Sequence, residues 1–134
     1  YTYFKTFAEN KYIIKEIIVP NKFNFESFTK NTSISTSSMI LKRKLTNGIK
    51  FFNTKICEDY FYKCQLLKKI EYAHCYPDYL SSYQIRQNSL QSNRFKNLYW
   101  MWTINKKLNH FNFINNLISI FFISLNSLKK YGLR

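Results

Sequence analysis

The spacing of apolar residues changes at Cys57, and this change limits the folds open to the chain. Before that residue, "YTYFKTF" alternates aromatic with small or basic side chains, and "YIIKEIIVP" runs apolar until Pro20. These patterns predict two strands joined by a short turn at "ENK". After that point the apolar residues follow at helical spacing, which predicts one face of an α-helix. That face consists of Cys57, Tyr60, Cys64 and Leu67. Because strands precede helices, the predicted class is α/β or α+β.

The segments on either side of this helix carry shorter patterns. "FNFESF" (23–28) predicts a short helix. "TSISTSSMILKRK" (32–44) passes from small hydroxyl residues into an apolar run, which predicts a buried strand entered from a loop. "YAHCYPDYLSSYQI" (72–85) predicts an extended segment broken at Pro77.

The last part of the chain predicts two amphipathic helices, over 93–109 and about 111–130. The apolar stripe of the first consists of Phe95, Leu98, Tyr99 and Trp102. The second carries Phe113, Leu117, Ile120, Phe121 and Leu128. The most apolar stretch, 113–125, is too short and too interrupted by Asn to span a bilayer, but an interfacial helix stays open.

Composition excludes several kinds of site. The chain has two glycines, where average usage predicts roughly nine, so no Gly-rich phosphate loop is available. Three cysteines at irregular spacing argue against both a disulfide framework and a zinc site, and fit a reducing cytoplasm. The pair His74 and Cys75 is too small a set for a metal site.

Positive charge is concentrated towards the C-terminus. The formal net charge is +14, no acid follows Asp78, and the last 54 residues carry eight Lys or Arg. A basic, aromatic-rich segment suits an anionic surface, either membrane or nucleic acid. The alternative is a solvated basic face without a partner.

Against this background, the adjacent carboxylates Glu58 and Asp59 are unusual, since the chain has seven acids in total. They lie at the predicted start of the helix that begins near Cys57. Acidic residues there commonly do no more than compensate the helix dipole. The same dipole also helps to keep a carboxylate at this position ionised.

Several stretches taken together resemble the C-terminal half of bacterial family-2 glycosyltransferases, which are GT-A-fold enzymes that build cell-surface polysaccharides. The strand pair "YTYFKTF…IIVP", the hydroxyl-rich "NTSISTSSMILKRK" and the acidic "CEDYFYKCQLLKK" follow in the family's order. "YLSSYQIRQNSLQSN" is similar to the family segment after them, and the two C-terminal helices come last. The resemblance implies an α/β fold that is the acceptor-side portion of a GT-A domain over 1–90, with amphipathic helices over 91–134.

The resemblance also implies roles for individual residues. In the family, the Asp of the "ED" pair is the general base that takes the acceptor's proton, which assigns that role to Asp59 with Glu58 as its neighbour. The sequence alone does not rank the two. The hydroxyl run lies where the family lines the acceptor side of the cleft, although a simple strand entry explains it equally well. That run is Thr36, Ser37 and Ser38.

One position departs from the family's "YR" pattern, because this chain has Gln84 after Tyr83 and places its arginine at Arg86. If the family arginine contacts the departing diphosphate, Arg86 could replace it only through a local shift in register.

The resemblance further implies partners and a cofactor. The donor is a nucleotide-sugar, and the acceptor is a glycan or a lipid-linked molecule. The resemblance also implies a protein in the cytoplasm, with peripheral contact at the inner face of the membrane. A divalent metal (Mg or Mn) is expected for the full enzyme. The chain has only two aspartates, Asp59 and Asp78, so it lacks the family's Asp-X-Asp ligand motif. We therefore expect a missing N-terminal, nucleotide-binding half, and no sugar transfer by this chain alone.

Two other classes of function remain open on the sequence. The charge and stretches such as "RFKNLYWMW" suit a small nucleic-acid-binding protein, but the chain has no recognised binding motif, and we expect no nucleic-acid partner. A membrane-surface protein that uses 93–130 is the third interpretation, and it is compatible with the transferase.

Overall fold

The computed structural model describes residues 1–7, 12–54, 56–84 and 93–132, and over these ranges the chain has a mixed α/β fold with small sheets. The strands are β1 (Thr2–Phe7), β2 (Ile13–Ile17), β3 (Lys22–Phe23), β4 (Ala73–His74) and β5 (Tyr76–Gln84). The helices are α1 (Phe25–Phe28), α2 (Glu58–Leu67), α3 (Arg94–Lys107) and α4 (Phe113–Tyr131). Two short 3-10 turns cover Thr36–Ser38 and Arg43–Thr46.

β1 is the central strand of a three-stranded sheet with the order β2-β1-β5. β2 pairs with it antiparallel, with Phe4 opposite Ile17, which confirms the predicted strand pair. β5 pairs with it parallel on the other edge, with Phe4 beside Ser81. Because β1 and β5 are parallel, the chain must cross over from one end of the sheet to the other between them. The segment between β2 and β5 makes this crossover, and it contains α1 and α2.

The predicted apolar face of α2 lies in the main core, as its spacing indicated. All four of its residues are buried in one cluster with Phe23, Phe28 and Ile104. The ring of Phe28 stacks on that of Tyr60 at 5.7 Å between centroids. The short helix predicted within 23–28 is also present as α1, which begins with a capping box between Asn24 and Ser27.

The strand predicted within 32–44 is wrong. This segment forms the two 3-10 turns, and Ile40 in the middle of the apolar run is 92 % exposed. The hydroxyl side chains bond locally: Ser38 Oγ donates to Ser35 O at 3.2 Å, and Thr46 Oγ1 donates to Arg43 O at 2.8 Å. Such local bonds compete with a strand ladder and favour turns.

The predicted break at Pro77 is also wrong, because β5 runs through this residue from Tyr76 to Gln84. The proline is tolerated for two reasons. β5 is an edge strand, where a missing N–H costs no ladder bond on the open side. In addition, the pairing with β1 shifts register here, from Tyr76 opposite Thr2 to Tyr79 opposite Tyr3. Because of this shift, Pro77 and Asp78 have no residue of β1 directly opposite them.

Both C-terminal helices are present as predicted, but the buried side of each is not its apolar stripe. The buried residues are Ile104 and Asn105 in α3, and Asn116, Ser119 and Ile123 in α4. Much of each predicted stripe is on the outside, with Phe95 86 % exposed and Phe113 69 % exposed. Among the described residues, none of the helices combines the length and the apolar content of a membrane span.

Hydrogen bonds between neighbouring elements explain why polar residues of α3 and α4 are buried. Asn105 Nδ2 donates to Ser119 Oγ at 2.9 Å, and Ser119 Oγ donates to Thr29 O at 2.6 Å. Asn116 Nδ2 donates to Trp102 O at 3.0 Å. Buried polar groups with partners avoid the desolvation cost that would otherwise expel them from a core.

Candidate active site

The candidate site is at the N-terminus of α2, where Cys57 precedes the two acidic residues. Cys57 has a left-handed backbone, with φ of 64°, which is uncommon for a residue other than glycine and frequent near functional sites. Its side chain is buried and makes no capping bond to the helix. Glu58 and Asp59 are the first two residues of α2, and they lie in the turn where the helix dipole favours negative charge.

Asp59 is held by two side chains from different parts of the chain. Lys63, one turn further along α2, places its Nζ 2.9 Å from Asp59 Oδ2. Thr36 Oγ1, from the first 3-10 turn, donates to the same oxygen at 3.2 Å. The Lys63 side chain is only 6 % exposed, whereas that of Asp59 is 37 % exposed, so the carboxylate stays open to a ligand.

These contacts keep Asp59 ionised. Burial alone would raise the pKa of Asp59, but the charge of Lys63 and the hydrogen bonds from Lys63 and Thr36 outweigh it, and the pKa lies below its ordinary value of 3.8. A carboxylate that is charged at neutral pH and open to solvent can accept a proton from a bound hydroxyl group.

The structure distinguishes the two acids that the sequence left unranked. The side chain of Glu58 is exposed, whereas Asp59 is half-buried and fixed by Thr36 and Lys63. A proton acceptor needs a defined position, because the transfer requires hydrogen-bond contact with the reacting hydroxyl. Asp59 therefore has the geometry of the better candidate.

The other predicted site residues lie in different surroundings. Ser37 Oγ is 2.9 Å from Ser35 Oγ, which is 2.8 Å from the hydroxyl of Tyr83 on β5. Ser38 Oγ accepts from the backbone N–H of Thr2 at 3.4 Å. Ser35 and Ser38 therefore tie the turn to β5 and β1, and Ser37 bonds to Ser35 within the turn. Of the predicted hydroxyl run, Thr36 is the residue that contacts Asp59. Arg86 lies outside the described residues.

Lys63 is the functional candidate that the sequence reasoning missed. The sequence does contain a pattern that predicts its contact with Asp59, since an acid and a lysine four residues apart commonly form an ion pair on a helix face. The contact from Thr36 had no comparable signal, because 23 residues separate it from Asp59.

A cavity of about 720 Å³ opens next to Lys63. Much of its wall is apolar, with Met39, Leu41 and Leu66 among the lining residues. Three further lysines line it: Lys42, Lys44 and Lys69. Among the described residues no carboxylate lines the cavity, so its chemistry suits a ligand with both an apolar part and an anionic group.

The described residues do not fit a divalent metal. Within 1–7, 12–54, 56–84 and 93–132 no three His, Cys, Asp or Glu side chains are close enough to hold one. At Asp59, the ammonium of Lys63 occupies the position a cation would take. Burial raises the pKa of Cys57 to about 12, so this neighbouring thiol is neutral and neither a ligand nor a nucleophile at neutral pH.

Replacement of Lys63 by Met is expected to raise the pKa of Asp59, because burial then acts without the opposing charge. In the wild type, the lowered pKa means that the ion pair stabilises the fold above about pH 4, and that this contribution is lost as pH falls through the pKa of Asp59. Carboxyl-carbon NMR titration measures the change. Lys69→Met, in the exposed turn after α2, is the matched control and leaves the titration unchanged. An unaltered Asp59 titration in Lys63→Met would contradict this assignment.

Comparisons with known proteins give two relatives. Over 97 residues, 71 % of this chain and 38 % of the relative, the chain is 30 % identical to the UDP-Glc:alpha-D-GlcNAc-diphosphoundecaprenol beta-1,3-glucosyltransferase WfgD of Escherichia coli. Over 116 residues, 87 % of this chain and 46 % of the relative, it is 25 % identical to TuaG of Bacillus subtilis, a glycosyltransferase assigned to teichuronic acid biosynthesis. The chain spans less than half the length of either relative.

No protein-family model matches the chain, and no solved structure matches it significantly. Both curated relatives are named as glycosyltransferases. The similarity, together with the mixed α/β fold, indicates a relationship with glycosyltransferases.

Proposed function

We propose that this chain is the acceptor-side part of an inverting family-2 glycosyltransferase of the GT-A fold, and that Asp59 is its general base. The observation that carries the proposal is the environment of Asp59. It is ionised by Lys63, oriented by Thr36 and half-exposed at the start of α2. This is the position at which the sequence resembles the family's "ED" pair.

In the proposed reaction, the oxygen of an acceptor hydroxyl attacks the anomeric carbon of a nucleotide-sugar. The new carbon–oxygen bond forms as the bond from that carbon to the diphosphate oxygen breaks, and the nucleoside diphosphate leaves with the bonding electrons. Asp59 takes the proton of the attacking hydroxyl. A single displacement of this kind inverts the anomeric configuration. Lys63 and Thr36 act as positioning residues, since both contact Asp59 and neither needs to contact the substrate.

For the acceptor, we propose a lipid-linked glycan. The E. coli relative is named for an acceptor in which a diphosphate joins a sugar to undecaprenol. The cavity beside Lys63 offers apolar walls for a lipid chain and lysines for a phosphate group. Such an acceptor would place the enzyme in the cytoplasm, at the inner face of the membrane. A divalent metal for the donor (Mg or Mn) would need ligands other than the described residues.

The experiment measures acceptor binding by the 134-residue chain. The probe is N-acetylglucosamine linked through diphosphate to a short polyprenol, titrated by calorimetry. We expect saturable binding, and the double variant Lys42→Ala/Lys44→Ala should weaken it at least about tenfold, since each hydrogen bond to a charged group is worth about 1.5–3 kcal/mol. Lys106→Ala/Lys107→Ala, at the end of α3, removes the same charge away from the cavity and is the matched control.

Two results would count against the proposal. One is equal binding by the cavity variant and the control, which would mean that the cavity does not hold the acceptor. The other is no binding of the acceptor together with tight, steeply salt-dependent binding of an oligonucleotide, which would favour the nucleic-acid-binding alternative.

A further inference from the structure

The outer face of α4 is an extended apolar surface that the proposed function leaves unused. We define this outer face by six residues: Phe113, Leu117, Phe121, Phe122, Leu125 and Leu128. Their side chains are between 37 and 69 % exposed. They extend from Phe113 at the first residue of the helix to Leu128, a length of about 23 Å at 1.5 Å per residue. Contiguous apolar surfaces of this kind mark interaction sites rather than ordinary solvent contact.

The helix cannot easily turn this face inward. On the opposite side of α4, Ser119 donates to the backbone of Thr29 after α1, and Asn116 donates to the backbone of Trp102 in α3. Asn126 Nδ2 donates to Lys30 O at 3.0 Å, and Lys130 Nζ donates to Ser33 Oγ at 2.8 Å. Rotation of α4 about its axis would break these bonds and leave the buried groups unpaired, at a cost for each of them.

The charge around the outer face indicates what covers it. Over 93–132 the chain has six Lys or Arg and no acid. Lys96, Lys106, Lys107 and Lys129 are exposed. Lys129 follows Leu125 by four positions and so lies on the same side of α4. Lys106 follows Trp102, whose ring contacts that of Phe113, by four positions on α3. A surface that covers the outer face must therefore accept apolar side chains together with the positive charges of Lys106 and Lys129.

A second copy of the chain fits this requirement poorly, because it would present another basic surface, and 93–132 contains no acid that could pair with the lysines. An anionic bilayer fits both parts. Apolar side chains enter the boundary between head groups and acyl chains, and the lysines contact the anionic head groups. We propose that the outer face of α4 binds an anionic lipid surface, with the helix axis in the plane of the interface. This inference does not depend on the transferase proposal.

The test is cosedimentation of the 134-residue chain with vesicles of phosphatidylcholine, either pure or mixed with phosphatidylglycerol. We expect binding to the mixed vesicles and little to the pure ones. Leu117→Gln/Phe121→Gln should lower the partition coefficient at least about tenfold, since each side chain loses its transfer into the bilayer. The matched control is Ile18→Gln/Leu80→Gln, at positions that are 69 and 63 % exposed elsewhere on the surface.

A second measurement needs no variant. The Trp102 ring contacts that of Phe113 at 5.7 Å between centroids, which places it at the start of the outer face. Brominated phosphatidylglycerol should therefore quench tryptophan fluorescence.

Three results would overturn the proposal. They are wild-type binding by the α4 variant, equal binding to neutral and anionic vesicles, and a dimer in solution that the α4 variant dissociates while no vesicle binding occurs. The last result would assign the outer face to a second copy.

Discussion

Asp59→Asn is expected to lower the turnover number for sugar transfer by about a hundredfold to ten-thousandfold, the usual contribution of a general base. The reaction is measured with a nucleotide-sugar and a lipid-linked acceptor, in a protein that joins this chain to the nucleotide-binding half that the proposed function requires. Asparagine keeps the shape of the side chain and can still accept the hydrogen bond from Thr36, but it cannot take a proton at neutral pH. The Michaelis constants should change little, because the base acts on the proton in the transition state.

The neighbouring acid provides the control for this prediction. Glu58→Gln removes one negative charge from the same helix turn, and we expect less than about a fivefold loss, since the side chain is exposed. If charge at the start of α2 were all that mattered, the two variants would have similar activity. Equal losses in both, or full activity of Asp59→Asn, would contradict the role of Asp59. Thermal unfolding of each variant separates a catalytic loss from a loss of folded protein.

A comparison of α2 with the segment before it shows what the sequence could predict. The face of α2 was predictable because a helix fixes the relative direction of residues three and four positions apart. The same rule places Lys63 beside Asp59, four positions earlier in the helix. The 3-10 turns were not predictable from an apolar run, because local bonds of Ser38 and Thr46 decided the backbone there. The approach of Thr36 to Asp59 depends on those turns, and so it had no local signal.

α4 shows a different limit. Its periodicity predicts a helix with two distinct sides, and the helix is present. Periodicity does not say which side meets the rest of the protein, because that depends on partners elsewhere in the chain. Asn116 and Ser119 find such partners in α3 and after α1, and their bonds decide the orientation. The polar side of a helix can be the buried side where another helix presents complementary groups.

The second large effect concerns the polar network that holds α2, α3 and α4 together. Asn105→Leu is expected to lower the free energy of unfolding by about 3–5 kcal/mol, since each buried polar group left without its partner costs about 1–3 kcal/mol. Asn105 is fully buried, and its Oδ1 accepts from the Tyr60 hydroxyl at 2.7 Å and from Asn109 Nδ2 at 3.1 Å. Its Nδ2 donates to Ser119. Urea unfolding followed by circular dichroism measures the change.

Asn115→Leu, at an exposed position on α4, is the matched control and should change the free energy of unfolding by less than about 0.5 kcal/mol. A double-mutant cycle then tests the network itself. Burial raises the pKa of Tyr60 well above its ordinary value, so its hydroxyl is protonated and donates to Asn105. Tyr60→Phe combined with Asn105→Leu should therefore cost less than the sum of the two single changes, because the phenol no longer needs a partner. Additive costs would mean that Asn105 stabilises the fold by filling space, and the orientation of α4 would then need another explanation.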